Sequence, residues 1–387
     1  MKLYRLLLPL GLTATLLAGC AGSVEPQYPP KDLTDFDKQV DLDARWSEGV
    51  GEGLGRARYP LTPLVDGGTL YAVDQTGALR ALDADSGETE WEVELGTAIS
   101  SGIGADGGRL YIGTRNGEVL AIDREDGSVD WRSRVSSEVL APPQVNSSLV
   151  VVQSVDGAVT ALNRLNGGEQ WVYTSSQPAL TLRGTGAPRV IEPVSFAGFA
   201  NGRLVTIDNR SGQTLWDMRV AVPQGRTEVD QLVDVDGQPV LTQDGRLYVT
   251  SYNGRLLALE ATSGEVIWEH EESSYLTPLV VGNYLFTVNE ASHVIAVEAD
   301  TGRVMWDSDT LEGRELTAPA FVDGNIAIGD AEGYVHLLDA TSGEMRGRTH
   351  VDGSGLSLPL LTGDRRLYAF ANDGRLVAYD LENVESQ

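Results

Sequence analysis

A short, mostly apolar run, opened by a glycine and closed by a turn and a tryptophan, recurs along the whole chain. It is clearest at residues 117–131, GEVLAIDREDGSVDW. Aligned on the opening position, the same phrase begins at 77, 117, 157, 202, 254, 292, 333 and 374. The intervals are 40, 40, 45, 52, 38, 41 and 41 residues. A period near 40 with this much turn chemistry predicts propeller blades of four strands each.

Each unit can be assigned strand by strand. A proline-led run comes first, as in PLVDGGTLYAVDQTG at 63 or PVLTQDGRLYVTSYNG at 239. The proline and the apolar residues after it form a short first strand, reversed at Asp66-Gly67-Gly68. Residues 69–73, TLYAV, form the second strand, and Thr76-Gly77 or Asn116-Gly117 is a hairpin signal. Val119–Ile122 forms the third, with Val119 and Ala121 on one face and Leu120 and Ile122 on the other. Apolar residues on both faces suit a strand buried between neighbouring blades. The Asp-x-x-Ser/Thr-Gly phrase at Asp83 to Gly87 is a third turn, with its Asp capping backbone N–H groups and its Gly taking positive φ. The strand carrying the tryptophan completes the unit.

Of the seven tryptophans, Trp91, Trp131, Trp171, Trp216, Trp268 and Trp306 occupy one place in successive repeats. Repeat seven has Gly347 there, and repeat eight runs out near Val384 before a closing strand. Trp46 has no repeat phrase before it. A circular solution accounts for both ends: the N-terminal strand around Trp46 supplies the strand that the last blade lacks, removing the open edges. The expectation is an all-β, eight-bladed propeller over 41–381 with a tail at 382–387. An indole at a fixed place in each blade is expected to wedge between neighbours, burying on the order of 200 Å². The alternative role, tryptophans as ligand platforms, does not require one in nearly every blade.

Composition adds to this picture. Forty-four glycines in 387 residues suit many tight turns. A net charge of −27 repels phosphate backbones and anionic headgroups, so nucleic acid is not an expected partner. Lys2 and Arg5 precede the apolar run 6–18, a secretory signal too short for a stable membrane span. It ends in Leu17-Ala18-Gly19-Cys20, which resembles the lipobox of bacterial lipoproteins. That resemblance implies removal of residues 1–19 and acyl chains on Cys20, the only cysteine. Ala21, where inner-membrane lipoproteins usually carry Asp, implies the periplasmic side of the outer membrane. Residues 20–40, with three prolines and little apolar periodicity, read as the lipidated cysteine and a flexible tether.

The A-L-D-x-x-S/T-G-x-x-x-W phrase resembles the tryptophan-docking repeat of quinoprotein-type propellers. With a lipobox and one eight-bladed ring, the whole chain resembles the BamB family, lipoprotein subunits of the machine that inserts β-barrels into the bacterial outer membrane. The two long intervals strengthen the likeness. They enlarge the connections SSQPALTLRGTGAP and VPQGRTEVDQLVDVDG, which join last strand to first strand and therefore lie on one face of adjacent blades. Leu180, Leu182 and Arg183 place two apolar side chains beside a cation; Asp230, Asp234 and Asp236 supply acids on the neighbour. Long loops on a rigid scaffold commonly carry binding, and leucines near an arginine form a plausible hot spot. The structural alternative has the leucines packed down and Arg183 paired with Asp234 or Asp236. The family resemblance implies that Leu180, Leu182, Arg183, Asp234 and Asp236 meet a POTRA domain of BamA. It implies other assembly-complex subunits as further partners, and nascent barrel proteins pairing with outer blade strands by β-augmentation.

Catalytic chemistry is not apparent. His270, His293, His336 and His350 match no metal-ligand spacing, and no G-x-S-x-G elbow or P-loop occurs. Asp234-Val-Asp236-Gly237 begins like a calcium loop, but Pro239 follows and no Glu arrives at the twelfth position. No cofactor or metal is expected, and the protein is expected not to be an enzyme. Two other classes share the repeat or the shape: a quinone-dependent dehydrogenase, and a periplasmic propeller binding glycan in its central funnel.

Overall fold

The computed structural model describes residues 27–182, 184, 186–224, 226–228, 231–363 and 366–384. They form eight sheets of four antiparallel strands, and no helix occurs among them. Blade one shows the pattern: β2 (Leu64–Asp66), β3 (Thr69–Val73), β4 (Ala78–Asp83) and β5 (Thr89–Glu94), hydrogen-bonded in that order. First strands of neighbouring blades approach one another around the axis, as β2 does to β30 (Leu361–Gly363). Third strands are buried on both faces, as in β8 (Glu118–Asp123), where Val119, Leu120, Ala121 and Ile122 are all inaccessible.

The turn chemistry follows the sequence. Asp83 Oδ1 accepts from the backbone N–H groups of Asp85 at 3.1 Å and Ser86 at 2.7 Å, and Gly87 has φ of 75°. That glycine serves a second purpose. The Trp46 ring lies against it, and a Cβ there would sit 2.7 Å from the indole. The arrangement repeats around the ring: Trp91 on Gly127, Trp131 on Gly167, Trp171 on Gly212, Trp216 on Gly264, Trp268 on Gly302 and Trp306 on Gly343. Each indole N–H donates to a backbone carbonyl at the start of that same turn, from 2.7 Å for Trp171 to Asn209 to 3.2 Å for Trp46 to Ala84. Within its own sheet Trp91 stands opposite Ala81, and Trp131, Trp171, Trp268 and Trp306 also face alanines. A small residue opposite leaves the indole free to lean outward onto the next blade.

The ring closes as the sequence requires. β1 (Val40–Gly49) pairs antiparallel with β32 (Arg375–Asn383), with Trp46 opposite Ala378. The C-terminal blade is therefore finished by the N-terminal strand. The missing tryptophan in repeat seven has a steric cause: a Cβ on Gly347 would sit 2.7 Å from the carbonyl oxygen of Val40, where β1 begins. Both partners at this seam are long strands, of 10 and 9 residues, and β32 runs on where the other blades turn.

Residues 27–39, assigned to a tether from composition, lie against blades six and seven through Lys31, Leu33, Thr34, Phe36 and Gln39.

Trp46→Ala is expected to cost about 3–5 kcal/mol, the range for emptying a large aromatic site. Gly87→Ala is expected to cost less, and the double variant less than the sum, because the two groups touch. Urea unfolding of the four proteins measures this coupling; strict additivity would contradict the docking.

Candidate functional site

Two enlarged connections stand on one face of the ring. Residues 175–188 join β13 (Glu169–Thr174) to β14 (Arg189–Val190), and residues 220–239 join β17 (Thr214–Arg219) to β18 (Val240–Leu241). Both run from the outer strand of one blade to the inner strand of the next. The second loop is fastened to blade five: the Tyr252 N–H donates to the Asp234 carbonyl at 2.8 Å, and the Asn253 amide donates to the Leu232 carbonyl at 2.8 Å. Gln238 reaches the Pro188 carbonyl at 3.2 Å and the Gln144 side chain at 3.0 Å, bridging the two loops to blade three.

The loops also press on each other. A Cβ on Gly184 would collide with the Asp236 carboxylate, and one on Gly186 would come within 2.8 Å of the Asp236 carbonyl oxygen. Glycine at 184 and 186 is thus what lets the first loop lie on the second. The five expected contact residues are placed unequally. Leu180 is exposed at 42%, and Leu182 is half-buried in the wall of the central funnel. Asp236 is half-buried under Gly184, and Asp234 is only 2% exposed, so its carboxylate does not face a partner in this arrangement. Arg183 and Asp230 lie outside the described residues. Cys20 does as well.

Burial pushes both Asp234 and Asp236 well above the ordinary carboxylate range, and the Asp236 carboxylate raises Asp234 further. The funnel beside them has a volume of about 760 Å³ and is lined by Pro60, Pro142, Leu182, Tyr252, Tyr275 and Pro319 among others. The sequence pattern does not single out Tyr252 and Tyr275. Neither lies in the repeat phrase, and only blade geometry carries them to the axis. The prolines at the rim carry a signal in hindsight, since a residue without an N–H suits the unpaired inner edge of a blade. Among the described residues, no group of three or more His, Cys, Asp or Glu could hold a metal ion.

The family described as outer membrane protein assembly factor BamB matches residues 33–99, 75–308 and 290–387. The outer membrane protein assembly factor BamB of Pseudomonas aeruginosa is 47% identical over 369 residues, covering 95% of this chain and 97% of that protein. Its Escherichia coli K12 counterpart is 34% identical over 386 residues, covering 97% and 98%. The chain belongs to the BamB family. A BamB structure from Moraxella catarrhalis superposes with a TM-score of 0.80 at 28% identity, covering 88% of this chain and all of that one. This ring therefore has the propeller architecture of a family described as outer membrane protein assembly factors. The quinohemoprotein alcohol dehydrogenase of Comamonas testosteroni has a TM-score of 0.68 at 13% identity, covering 88% and 76%, and shares the fold alone.

The sign of the pH dependence follows from the raised carboxyls. The protonated pair favours folding, so its contribution is complete below the unfolded value of about 4 and is lost as pH rises through the raised folded values. Asp234→Asn removes a group that resists ionisation. Its Tm is expected to exceed the parent's by a margin that grows from about pH 4 to about pH 8. A margin that stays flat over that range in thermal melts would contradict the burial of the pair.

Proposed function

We propose that this protein is a non-catalytic, lipid-anchored scaffold of the outer-membrane barrel assembly complex, facing the periplasm and binding the POTRA region of BamA through its two enlarged loops. The observation that carries the reading is Leu180, exposed on a loop held down by Gly184 and Gly186 against Asp236. Leu180 and the half-buried Leu182 stand together on a long loop carried by a packed scaffold, the kind of place where recognition commonly resides. Leu180, Leu182 and Arg183 are the contact residues. Asp236 and Asp234 act from beneath, setting the height of the first loop, because they lie under or behind it. Attachment is through acyl chains on Cys20 at the end of the lipobox.

The outer strands of blades four to six support contact with a second class of partner, nascent barrel proteins. They carry exposed Leu215, Val266, Ile267, Val304 and Met305 beside backbone edges that no further strand among the described residues covers. An extended apolar segment can add to such an edge. The relatives' names describe assembly factors, which favours binding over oxidoreductase chemistry. Dye reduction with added quinone is expected to be absent.

Affinity capture from detergent-solubilised outer membrane tests the partner assignment. Leu180→Ala with Leu182→Ala is expected to weaken capture of BamA about 30-fold, the equivalent of a hot spot near 2 kcal/mol. Arg183→Glu is expected to abolish capture. Undiminished capture by both variants, with unchanged melting temperatures, would remove this face from the interaction.

A further inference from the structure

The N-terminal segment before the first strand is held by a buried charge network that no part of the function above uses. Gln39 donates its N–H to the Arg346 carbonyl at 2.8 Å, and its carbonyl accepts from the Val384 N–H at 2.9 Å. The chain then climbs the outer strand of blade seven, β29 (Met345–His350). The Arg348 guanidinium lies 5.0 Å above the Phe36 ring, and its Nη1 donates to the Thr34 carbonyl at 3.1 Å. Leu33 packs on the apolar cluster shared by blades six and seven. Arg314, 4% exposed, donates to the Lys31 carbonyl at 3.1 Å. The Lys31 N–H donates to the Glu312 carbonyl at 3.0 Å, and its ammonium bridges Asp309 at 2.8 Å and Glu312 at 2.9 Å.

The two arginines that grip the segment are themselves fixed. Arg314 pairs with the buried Asp330 at 2.7 Å and with Glu332 at 2.6 Å. His336 Nε2 lies 2.8 Å from Asp330, and Arg348 Nε donates to His336 Nδ1 at 3.3 Å. The Nδ1 contact requires a neutral imidazole that donates from Nε2 to Asp330, in keeping with a histidine whose burial depresses its basicity. Above Lys31 the chain crosses to the face of the enlarged loops. Tyr28 borders a cleft with Val222, Gln224 and Asn253, and its hydroxyl reaches Glu290 at 3.4 Å.

We infer that residues 27–39 form a docked strap that shortens the membrane leash and fixes its exit point at the rim of blades five and six, on the face that carries the enlarged loops. The inference rests on the reading of Cys20 as the lipidated residue. Seven residue steps separate Cys20 from Gln27 and span at most about 25 Å in any conformation; a free segment from Cys20 to Val40 would reach about 70 Å. Docking therefore turns a long tether into a short one and gives the ring a membrane-facing side. Adhesion does not supply that orientation, because the acidic surface is repelled by anionic headgroups. The consequence is a loop face presented to a membrane-embedded partner at restricted height, which raises its effective concentration there.

Two measurements test this, using a strap variant that combines Tyr28→Ser, Lys31→Ser, Leu33→Ser and Phe36→Ser and leaves every blade residue in place. In the acyl-free Cys20→Ser protein, hydrogen exchange follows the Lys31 and Gln39 amides. Both are expected to be protected, and the backbone amide at position 31, then a serine, to exchange at unfolded-chain rates once the strap substitutions are added. Free exchange of Lys31 before they are added would overturn docking, whatever anchors the protein. The lipidated protein is then placed in phosphatidylethanolamine–phosphatidylglycerol vesicles with a fluorophore at Gln224→Cys or, on the opposite face, at Glu125→Cys. A headgroup quencher is expected to act several-fold more strongly at 224 than at 125, the difference vanishing in the strap variant. Equal quenching at both sites, with the acyl mass present on Cys20, would overturn the orientation. Absence of that mass would instead sink the anchor reading and the leash with it, while the exchange result would still decide whether the strap docks.

Discussion

Seven of the eight blades contribute an indole that lies on the glycine of the neighbour's third turn and donates its N–H to that turn's carbonyl. This contact ties one sheet to the next without any strand crossing between them. It joins apolar burial to one directed hydrogen bond, so it sets the spacing and the tilt of adjacent blades together. Tyrosine or phenylalanine rings on the second strands pack beside the indoles at about the same tilt, as Tyr71 does with Trp91 at 5.9 Å and Phe196 with Trp216 at 6.1 Å. A ring assembled from such contacts has stiffness independent of the connections on its faces, which is why two of those connections can be long and carry recognition.

The seam is the exception that shows the rule. At the seventh position the chain gives up the indole because the start of β1 occupies its space, and Gln39 links the Arg346 carbonyl of blade seven to the Val384 N–H at the end of the last blade instead. The Asp330–Arg314–Arg348–His336 network stands within blade seven and the connection that reaches it from blade six. It buries charge, which is costly unless every partner is satisfied. Here the arginines spend their remaining donors on the backbone of Lys31 and Thr34. Ring closure and the placing of the N-terminal segment are thus one structural problem with one solution.

At the candidate site, stability and recognition are in tension. Asp234 and Asp236 are held above their ordinary range by burial, and the first loop sits on them through two glycines. Leu180 and Leu182 are the side chains that this first loop carries outward and into the funnel wall.

Much of this was legible in the sequence because it is periodic. The repeat phrase gave the blade count, the spare tryptophan at 46 with the truncated eighth repeat gave the closure, and the two stretched intervals gave the enlarged loops. These follow from local rules, since turn glycines, strand alternation and repeat length act over a few residues. The reason for Gly347, the burial of Asp234, the funnel tyrosines Tyr252 and Tyr275, and the docking of residues 27–39 were settled only by the tertiary structure. Each depends on which blade stands beside which, and on charges more than 280 residues apart in sequence, such as Lys31 and Glu312, meeting where the N-terminal strap crosses the connection between blades six and seven. Sequence period determines the unit; only closing the ring decides what the units press against.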